Sequence, residues 1–533
     1  MPTDCIPFRD TNYFSSLICD YLDERQELQP FYNRFPKIEN FKNQIEEKET
    51  SYNKDSRNVL VSVLKKQYKS VETSKATLDN IELLQQSNSF TITTGHQLNL
   101  FTGPLYFLYK IISTINLTKE LKAVYPKYNF VPIYWMASED HDFDEINYFN
   151  FKGKKVKWHR DASGGVGELD TNGLDKVFES FSKELGQGAN ATFLKELFKN
   201  AYLKHENLAD ATRYVANELF KGLGLVIIDA NDRELKHLFI PYIKEELLNQ
   251  TSYKSVSQTN QQINELPSNY KIQVNPREIN LFYLKEGLRE RIVFENDIYK
   301  VVDTSITWSK SELLEHLDEM PERFSPNVIM RPLYQEVILP NLCYIGGGGE
   351  LAYWFQLKSN FEAVQVTFPM LLLRNSVLIK TLKQSEKLDK LGISINDLFS
   401  KQNDLINQQI KRLSIIDIDF SSQKKHLQNQ FKALYKLAEE TDKSFLGAVA
   451  AQEKKQLKGL SNLEKKLLKA QKRKLDDQIS RITEIQNELF PSKSLQERNL
   501  NFSELYLEFG DQLIQQLVLN LQPLKGDFLI LEL

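Results

Sequence analysis

The chain has 533 residues, of which 41% are hydrophobic, so it is long enough to form more than one compact unit. Lys and Arg total 68 against 71 Asp and Glu, and the net charge of −3 gives no global reason to expect binding to nucleic acid or to a membrane. The three cysteines are scattered and none lies in a CxxC pair, so neither a zinc site nor a disulfide framework is indicated. Because there is no signal peptide and no stretch long enough to span a membrane, we expect a cytoplasmic protein.

A strand–loop–helix–strand pattern follows polar helices in the N-terminal part of the chain. Residues 89–94 favour a short strand, Gly95 begins an uncharged loop that ends at Gly103, and Pro104 begins a helix. A second strand is predicted at 130–137. Two strands joined by a helix form a βαβ unit, which is usually parallel and right-handed.

Further strands are predicted downstream, at 155–159, 224–230, 362–368 and 528–533, together with a hairpin across 291–302. Strands that alternate with helices indicate an α/β domain built on a mostly parallel sheet. We expect this domain to span residues 1–375, with insertions at about 151–222 and 250–325.

No strand is predicted between residues 376 and 490, a segment rich in Lys, Glu, Gln and Leu that contains no proline. A seven-residue apolar repeat, made imperfect by polar intermediate positions, runs along its end: Leu468, Leu475, Ile482 and Leu489, with Lys472 and Gln486 between them. The pattern predicts an α-helical coiled-coil arm in which two long helices, 376–413 and 421–490, fold back on each other and could pair with a second subunit. Residues 491–533 are expected to return to the sheet domain as a helix and a strand.

The loop TTGHQLNLFTGPLY (93–106) is the first candidate site. A loop between a strand end and a helix N-terminus presents backbone N–H groups to an anion, which makes Gly95, Asn99 and Gly103 candidate phosphate-binding residues. His96 and Gln97 would point into the loop as hydrogen-bond donors. A plain turn between strand and helix is the alternative, and the loop is not a Walker A loop because it lacks GK[ST].

The segment ASEDHDFDEIN (137–147), directly after the second strand, is the second candidate. Within a stretch of seven residues it holds five acids and a histidine: Glu139, Asp140, His141, Asp142, Asp144 and Glu145. Carboxylates at this density repel one another unless a cation neutralises them, so a bound Mg²⁺ or an amine would suit them. An acidic helix start, where carboxylates favour the helix dipole, explains some of these residues but not the whole cluster.

A run of four glycines is the third candidate: Gly346, Gly347, Gly348 and Gly349, between the strand-like CYI and a helix predicted to begin near Glu350. Glycines let a backbone approach a ligand closely, and the helix N-terminus favours an anion. Arg331 is the nearest strong anion donor, and Gln335 lies one helical turn beyond it. The alternative is a flexible linker or tight turn, which the flanking apolar residues disfavour.

Two weaker signals have ordinary explanations of similar weight. Asp229 ends the strand LVIID and could face the same sheet edge, although it or Asp232 could equally cap a helix. Residues 453–474 carry a net charge of +7, which could bind nucleic acid, but no aromatic residues interleave with the charges. A solvated coiled-coil face explains that segment better.

Five long segments occur in a fixed order between about residues 90 and 502: TTGHQLNLFTGPLYFLYKIIS, PIYWMASEDHDFDEIN, GLVIIDAND, SPNVIMRPLYQEVILPNLCYIGGGGELAYWFQLK and LFPSKSLQERNLNF. In these segments the chain resembles the cysteine ligase family of bacillithiol biosynthesis. The resemblance implies a Rossmann-like core akin to the nucleotidyltransferases and class I aminoacyl-tRNA synthetases, with a coiled-coil arm that forms a homodimer. The chain differs from the family at His96, a position where the family more commonly has Gln.

The resemblance also implies a reaction, in which cysteine is joined to the amine of glucosaminyl-malate. Amide formation requires activation of a carboxylate, so ATP or another adenine nucleotide is the expected cofactor. In this interpretation His96 and Gln97 stabilise the charge that develops during activation. The residues of the 139–145 segment orient an ammonium group or hold Mg²⁺ through Glu139 and Asp140. Asp140 and His141 are the catalytic candidates of that segment. A nucleotide-binding scaffold without ligase activity and a nucleic-acid-binding protein are the competing hypotheses.

Overall fold

The computed structural model describes residues 3–69, 71–414, 416–441 and 443–533. They form two compact units, the larger built from residues 1–9, 13–379 and 494–533. The smaller unit comprises residues 10–12 and 380–493. Among the described residues, no helix combines the length and apolar character that crossing a membrane requires.

The N-terminal part contains one strand and a set of polar helices: β1 (Thr3–Pro7), α1 (Ser16–Leu22), α2 (Phe41–Ser51), α3 (Lys54–Gln67) and α4 (Lys75–Leu83). Helix α3 buries Leu60, Val61 and Leu64 along one face and exposes its lysines on the other. Ser74 caps α4 by accepting a hydrogen bond from the backbone N–H of Thr77. The polar helices predicted here are confirmed.

The predicted βαβ unit is also confirmed, as β2 (Ser89–His96), α5 (Tyr106–Val124) and β3 (Asn129–Met136). Strands β2 and β3 pair in parallel and are buried almost throughout, as expected for parallel strands covered by helices on both faces. Helix α5 begins just after Pro104, and most of its residues are buried.

The next stretch is mainly helical and leads back to the sheet: α6 (Phe143–Ile146), β4 (Tyr148–Phe151), β5 (Lys154–Lys157), α7 (Leu174–Leu185), α8 (Ala189–Tyr202), α9 (Leu208–Leu219) and β6 (Val226–Asp229). Strands β4 and β5 form an antiparallel hairpin, whereas β6 pairs in parallel with β3. The strands predicted at 155–159 and 224–230 are confirmed with shorter bounds.

A second, antiparallel sheet follows two helices: α10 (Arg233–Asn249), α11 (Thr251–Asn264), β7 (Leu281–Lys285), β8 (Leu288–Glu295), β9 (Ile298–Val301), β10 (Thr307–Trp308), α12 (Lys310–Glu319) and β11 (Phe324–Pro326). Its strand order is β10-β9-β8-β7-β11. The hairpin predicted across 291–302 is confirmed as β8 and β9, which are antiparallel neighbours.

The central sheet is completed by α13 (Met330–Ile338), β12 (Asn341–Gly346), α14 (Gly348–Trp354), α15 (Lys358–Ala363) and β13 (Met370–Leu373). Its order is β13-β12-β2-β3-β6, and every neighbouring pair is parallel. The predicted parallel α/β architecture is therefore confirmed.

The strand predicted at 362–368 is wrong. Helix α15 continues to Ala363, and Gln365 has a φ of 58°, so the chain turns before β13 begins. Edge-to-face packing of Phe361 on Phe368, with ring centroids 4.9 Å apart, buries the apolar residues that had suggested a strand. Strands also continue past residue 375, because β14 spans Val377–Lys380.

The described residues of the second unit are helical: α16 (Leu382–Leu391), α17 (Ile395–Leu398), α18 (Gln402–Leu413), α19 (Ser421–Glu439), α20 (Lys443–Lys474) and α21 (Asp476–Leu489). The prediction of one helix over 376–413 and another over 421–490 is therefore wrong in detail, although the helical arm is confirmed; Asp442 lies outside the described residues. Helix α20 ends in Lys472, Arg473 and Lys474, and α21 begins with Asp476 and Asp477. Cations at a helix C-terminus followed by anions at an N-terminus favour a break at Leu475.

The arm contains two packed groups of helices. Helix α19 lies along α20, joined by the Lys424–Glu464 ion pair at 2.6 Å and a small core of Phe431, Ala438 and Val449. Helix α21 packs instead on α16 and α18, and this contact buries Ile482 and Leu489 completely.

The predicted apolar seam is thus divided. Ile482 and Leu489 belong to the arm's own core, while Leu468 and Leu475 are only half-buried. Gln486 is buried in the seam because its amide donates to the backbone carbonyls of Leu398 and Ser400. The seam is therefore not a single stripe left over for a second subunit.

The last residues return to the first unit as α22 (Gln496–Asn499), α23 (Phe502–Phe509), α24 (Gln512–Asn520) and β15 (Asp527–Glu532). Strand β15 lies between β1 and β14 in a three-stranded sheet. The strand predicted at 528–533 is confirmed.

Candidate functional site

A cavity of about 650 Å³ lies at the carboxyl ends of the parallel strands in the first unit. Ligands of open α/β sheets bind at this edge. The three predicted segments do share one cleft, because its walls include nine of the predicted residues: Gly95, His96, Gln97, Glu139, Asp140, His141, Asp142, Arg331 and Glu350. The remaining predicted residues lie outside its lining: Asn99, Gly103, Asp144, Glu145, Asp229, Gln335, Gly346, Gly347, Gly348 and Gly349.

The loop after β2 is held in a constrained shape. Phe101, Thr102 and Gly103 all have positive φ, and a Cβ on Gly103 would come within 2.6 Å of the Asn99 Cβ. Asn501 donates from its amide to the carbonyls of Phe101 and Gly103, at 2.8 and 2.6 Å. Gly103 therefore serves the loop's conformation, which holds His96 at the cavity wall, while the Asn99 amide donates to the carbonyl of Glu145 at 3.3 Å.

His96 is buried, and its Nε2 lies 3.3 Å from the carbonyl oxygen of Thr102. Because a carbonyl only accepts, Nε2 carries the proton and Nδ1 is left as an acceptor. Burial, reinforced by the nearby Lys110 ammonium, lowers the pKa of His96 to about 3. The ring is neutral at physiological pH, and its one N–H is directed at Thr102, so the predicted donation to a phosphate has no free proton in this geometry.

Gln97 is engaged by the acidic segment. Its amide nitrogen donates to Asp140 Oδ2 and to Glu145 Oε2, both at 3.0 Å. Two carboxylates that would otherwise repel each other are thereby bridged. The loop and the acidic segment form one connected frame, in which Gln97 positions Asp140 at the cavity wall.

Glu139 has a partner that no sequence pattern indicated. Lys236 of α10 is fully buried, and its Nζ lies 2.8 Å from Glu139 Oε2 and 2.8 Å from the carbonyl oxygen of Phe324. Burial lowers the pKa of Lys236, and Glu139 opposes that effect. Within the described residues, no group of three His, Cys, Asp or Glu side chains is arranged to hold a metal ion.

His141 contacts Arg289 of β8, whose Nη1 lies 2.6 Å from the imidazole Nδ1. A guanidinium can only donate, so Nδ1 accepts and the neutral ring carries its proton on Nε2. The Arg289 guanidinium also stacks on Phe282, 4.1 Å from the ring centroid. Its pKa is lowered by burial, while Glu139, Asp140 and Asp142 act in the opposite direction.

An ion pair between a buried lysine and a partly exposed glutamate closes the other side of the cavity. Lys110 Nζ lies 2.6 Å from Glu350 Oε1 and 2.6 Å from the carbonyl oxygen of Gly95, and Tyr344 donates to Glu350 Oε2 at 2.7 Å. Burial lowers the pKa of Lys110. Burial by itself would raise the pKa of Glu350, but Lys110 together with the hydrogen bonds from Tyr344 and Gly347 outweighs it and leaves that pKa lowered.

Two predicted residues outside the lining support residues that face the cavity. Gln335 is fully buried and accepts from Arg331 Nη1 at 3.2 Å, while Arg331 Nη2 donates to Tyr353. Asp229 accepts from the Ser138 hydroxyl and from the backbone N–H of Asn231, and burial raises its pKa. Asp229 therefore anchors the turn that carries the acidic segment.

The glycine run shapes the chain rather than the cavity. A Cβ on Gly346 would meet the Tyr344 ring at 2.9 Å, and the N–H of Gly347 donates to Glu350 Oε1 at 3.3 Å. The cavity instead contains basic residues that the sequence did not single out: Lys110, Arg277, Arg289 and Arg291. Lys110 alone left a sequence signal, as the single charged residue in the apolar first part of α5, residues 106–118.

Comparison with known proteins identifies the family. Residues 1–375 match the model described as bacillithiol biosynthesis BshC, N-terminal Rossmann-like domain, and residues 377–533 match the BshC C-terminal coiled-coil domain. The chain belongs to the BshC family. The BshC family thus accounts for both compact units, and its Rossmann-like description agrees with the parallel sheet.

Curated relatives align over almost their whole length. The chain is 61% identical to a protein of Flavobacterium johnsoniae, with 100% of both chains covered, and 60% identical to one of Christiangramia forsetii, covering 100% of this chain and 99% of the relative. A Cytophaga hutchinsonii protein is 38% identical over 97% of this chain and 96% of its own. The names of all three propose cysteine ligase activity for a BshC protein.

Proposed function

We propose that the chain is an ATP-dependent ligase that forms an amide between cysteine and the amine of glucosaminyl-malate, the last step of bacillithiol biosynthesis. The observation that carries this proposal is the composition of the cavity. It holds carboxylates suited to an ammonium group and cations suited to carboxylates and phosphates, at the ligand-binding edge of a Rossmann-like sheet. Family membership and the names of the relatives support the same activity.

The acidic segment would bind the attacking amine. Asp140 and Asp142 line the cavity, and Gln97 fixes the orientation of Asp140. A carboxylate at this position would first hold the substrate ammonium and then accept the proton that the amine must lose before it attacks. His141, whose Nδ1 is occupied by Arg289, would donate from Nε2 to a substrate oxygen.

The nucleotide would supply the activation that makes a carboxylate reactive. The end of β2 at Gly95, the buried Lys110 and the cavity-facing Arg331 fit an anionic group of this kind. Glu350 fixes the Lys110 ammonium and Gln335 fixes the Arg331 guanidinium, so these two cations need little reorganisation when charge develops during the reaction. Because Glu139 is already paired with Lys236, it is less able to hold a Mg²⁺ ion. The phosphates of the nucleotide would therefore supply part of the ligands of such an ion.

The direct test incubates the purified protein with cysteine, glucosaminyl-malate and ATP with Mg²⁺, and measures the amide product by mass spectrometry. We expect Asp140→Asn and His141→Ala to abolish product while the fold is retained, because exposed carboxylates elsewhere tolerate such changes within about 0.5 kcal/mol. Asp161→Asn, an exposed acid outside the cavity, is the matched control. Full activity in both cavity variants would contradict the assignment, and ATP binding without cysteine-dependent turnover would favour a nucleotide-binding scaffold.

We also propose that the protein acts in the cytoplasm, where its substrates would be found, and that the arm mediates a homodimer. Helices α19 and α20 expose large apolar side chains: Leu434, Leu437, Leu446 and Leu463. Exposed apolar surface of this kind favours an association site. Leu437→Asp together with Leu463→Asp should therefore give a monomer by light scattering, and a monomeric unmodified protein at micromolar concentration would refute dimerisation.

A further inference from the structure

One wall of the cavity comes from the antiparallel sheet and the segment leading into it. Three arginines on this wall line the cavity: Arg277, Arg289 and Arg291. Arg289 is committed to His141, to Phe282 and to the Ser325 hydroxyl. Among the hydrogen bonds and ion pairs of the described residues, by contrast, the guanidinium groups of Arg277 and Arg291 have no acceptor.

Arg277 is exposed, but its backbone is fixed by a buried network. Its N–H donates to Asn280 Oδ1 at 3.0 Å, and its carbonyl accepts from Asn280 Nδ2 at 2.8 Å. Asn280 is fully buried, and its backbone N–H and side-chain amide donate to Glu246. Glu246 is itself buried, also accepts from the Ser252 hydroxyl, and has a pKa raised by burial.

This network is costly to maintain. Burying a carboxylate and a carboxamide is unfavourable unless each polar atom is paired, and here both are paired in a network that fixes the backbone at Arg277. Arg291 is placed by regular structure instead: it lies two residues after Arg289 on β8, so both project from the same face of the strand.

The charges of the cavity match a ligand with opposite charges at its two ends. Carboxylates of the acidic segment lie close enough to Arg289 to influence its pKa, so the acidic segment and the arginine wall are neighbours. An amine could be held by the first while carboxylates pair with the second. A polyphosphate on the arginine wall has no amine to offer Asp140 and Asp142, and those carboxylates would be left without a counter-charge.

We propose that Arg277 and Arg291 form a subsite for the carboxylates of the amine substrate, the malyl end of glucosaminyl-malate, and thereby determine acceptor specificity. The subsite rests on the proposed function for the identity of the acceptor. Its chemistry, recognition of a dicarboxylate by two guanidinium groups, follows from the planar fork that arginine presents to a carboxylate.

The kinetic test uses Arg277→Gln and Arg291→Gln in the full-length protein. Each variant should raise the KM for glucosaminyl-malate by about 10- to 100-fold, the value of a charge-assisted hydrogen bond, while the KM for ATP changes less than twofold. Lys300→Gln is the matched control, since it removes a cation from the same sheet outside the cavity lining and should leave both constants unchanged. Thermal melting verifies that each variant is folded.

A second acceptor separates the possible sources of the anion. With the methyl glycoside of glucosamine, which has the amine but no malyl group, both arginine variants should match the unmodified protein. A rise in the KM for ATP with no change for glucosaminyl-malate would show that the wall binds phosphate and would overturn the proposal. Unchanged constants for both substrates would overturn it as well.

Calorimetric titration with glucosaminyl-malate distinguishes failure of the subsite from failure of the proposed reaction. Arginine-dependent binding in a protein that forms no amide would retain the subsite and reject the ligase. Amide formation with a glucosaminyl-malate KM unaffected in both variants would retain the ligase and reject the subsite.

Discussion

The buried, neutral His96 predicts a specific pH dependence of stability. Its pKa is about 3 in the folded protein, whereas an unfolded histidine has a pKa of about 6.5. Between these values the unfolded chain binds a proton that the folded chain does not. The contribution to stability is therefore fully present above about pH 6.5 and is lost progressively as the pH falls toward 3.

The magnitude follows from the width of this interval. Each pH unit below 6.5 costs about 1.4 kcal/mol, so a change from pH 7 to pH 5 should remove about 2 kcal/mol through His96 alone. His96→Gln eliminates this dependence, because Gln does not titrate, and its amide can still donate to the Thr102 carbonyl. The variant should thus lose about 2 kcal/mol less than the unmodified protein over this range.

Tryptophan fluorescence provides a readout confined to the first unit, because all four tryptophans lie there: Trp135, Trp158, Trp308 and Trp354. Urea unfolding at pH 5, 6 and 7 would give the free energy of unfolding for both proteins. His426→Gln, in the arm, should keep the slope of the unmodified protein. An equally steep loss of stability in His96→Gln would refute a neutral, buried His96.

Two further predictions concern buried contacts. Lys110→Met should destabilise the first unit by about 3 kcal/mol in urea unfolding. The loss is smaller than for a fully buried pair, because the Glu350 side chain is 27% exposed and keeps its hydrogen bond from Tyr344. Adding Glu350→Gln should recover part of the lost stability, and a double variant no more stable than Lys110→Met would contradict this. In the arm, Ile482→Asp should lower the melting temperature of the helices measured by circular dichroism, because it places a charge in a closed core. Leu468→Asp should have little effect, because Leu468 is only half-buried. Equal effects of the two variants would show that the seam is uniformly buried or uniformly exposed.

The parts of the fold that were predictable depend on local patterns. The β2–α5–β3 unit is marked by a Thr- and Ile-rich run, a glycine loop and a proline at the helix start, and its strands are parallel as expected. Because parallel strands end at one edge, the same reasoning brought the glycine loop, the acidic segment and Glu350 to one cavity.

The misses have particular physical causes. Val364, Val366 and Phe368 alternate like a strand, yet Gln365 adopts a positive φ and the phenyl ring packs on Phe361, so tertiary packing overrides the pattern. The break at Leu475 did have a signal, the change from three cations to two aspartates, which a heptad count does not register.

Contacts distant in sequence were beyond local analysis. Lys236 neutralises Glu139 from 97 residues away, and Arg289 reaches His141 from 148 residues away. Each cation lies in an ordinary helix or strand, where a charged residue is common and does not by itself indicate a functional site. Only the three-dimensional arrangement shows that the acidic cluster is neutralised in part by protein side chains.

This arrangement changes where the free energy of ligand binding should come from. On the parallel-sheet side, the polar groups are already engaged: His96 with Thr102, Gln97 with Asp140, and Lys110 with Glu350. A ligand gains little from groups that must first give up a partner, but it gains much from charged groups that are fixed and unpaired. The sequence motifs therefore build a rigid frame, and the strongest net attraction for the carboxylates of the acceptor should arise on the antiparallel wall, at Arg277 and Arg291.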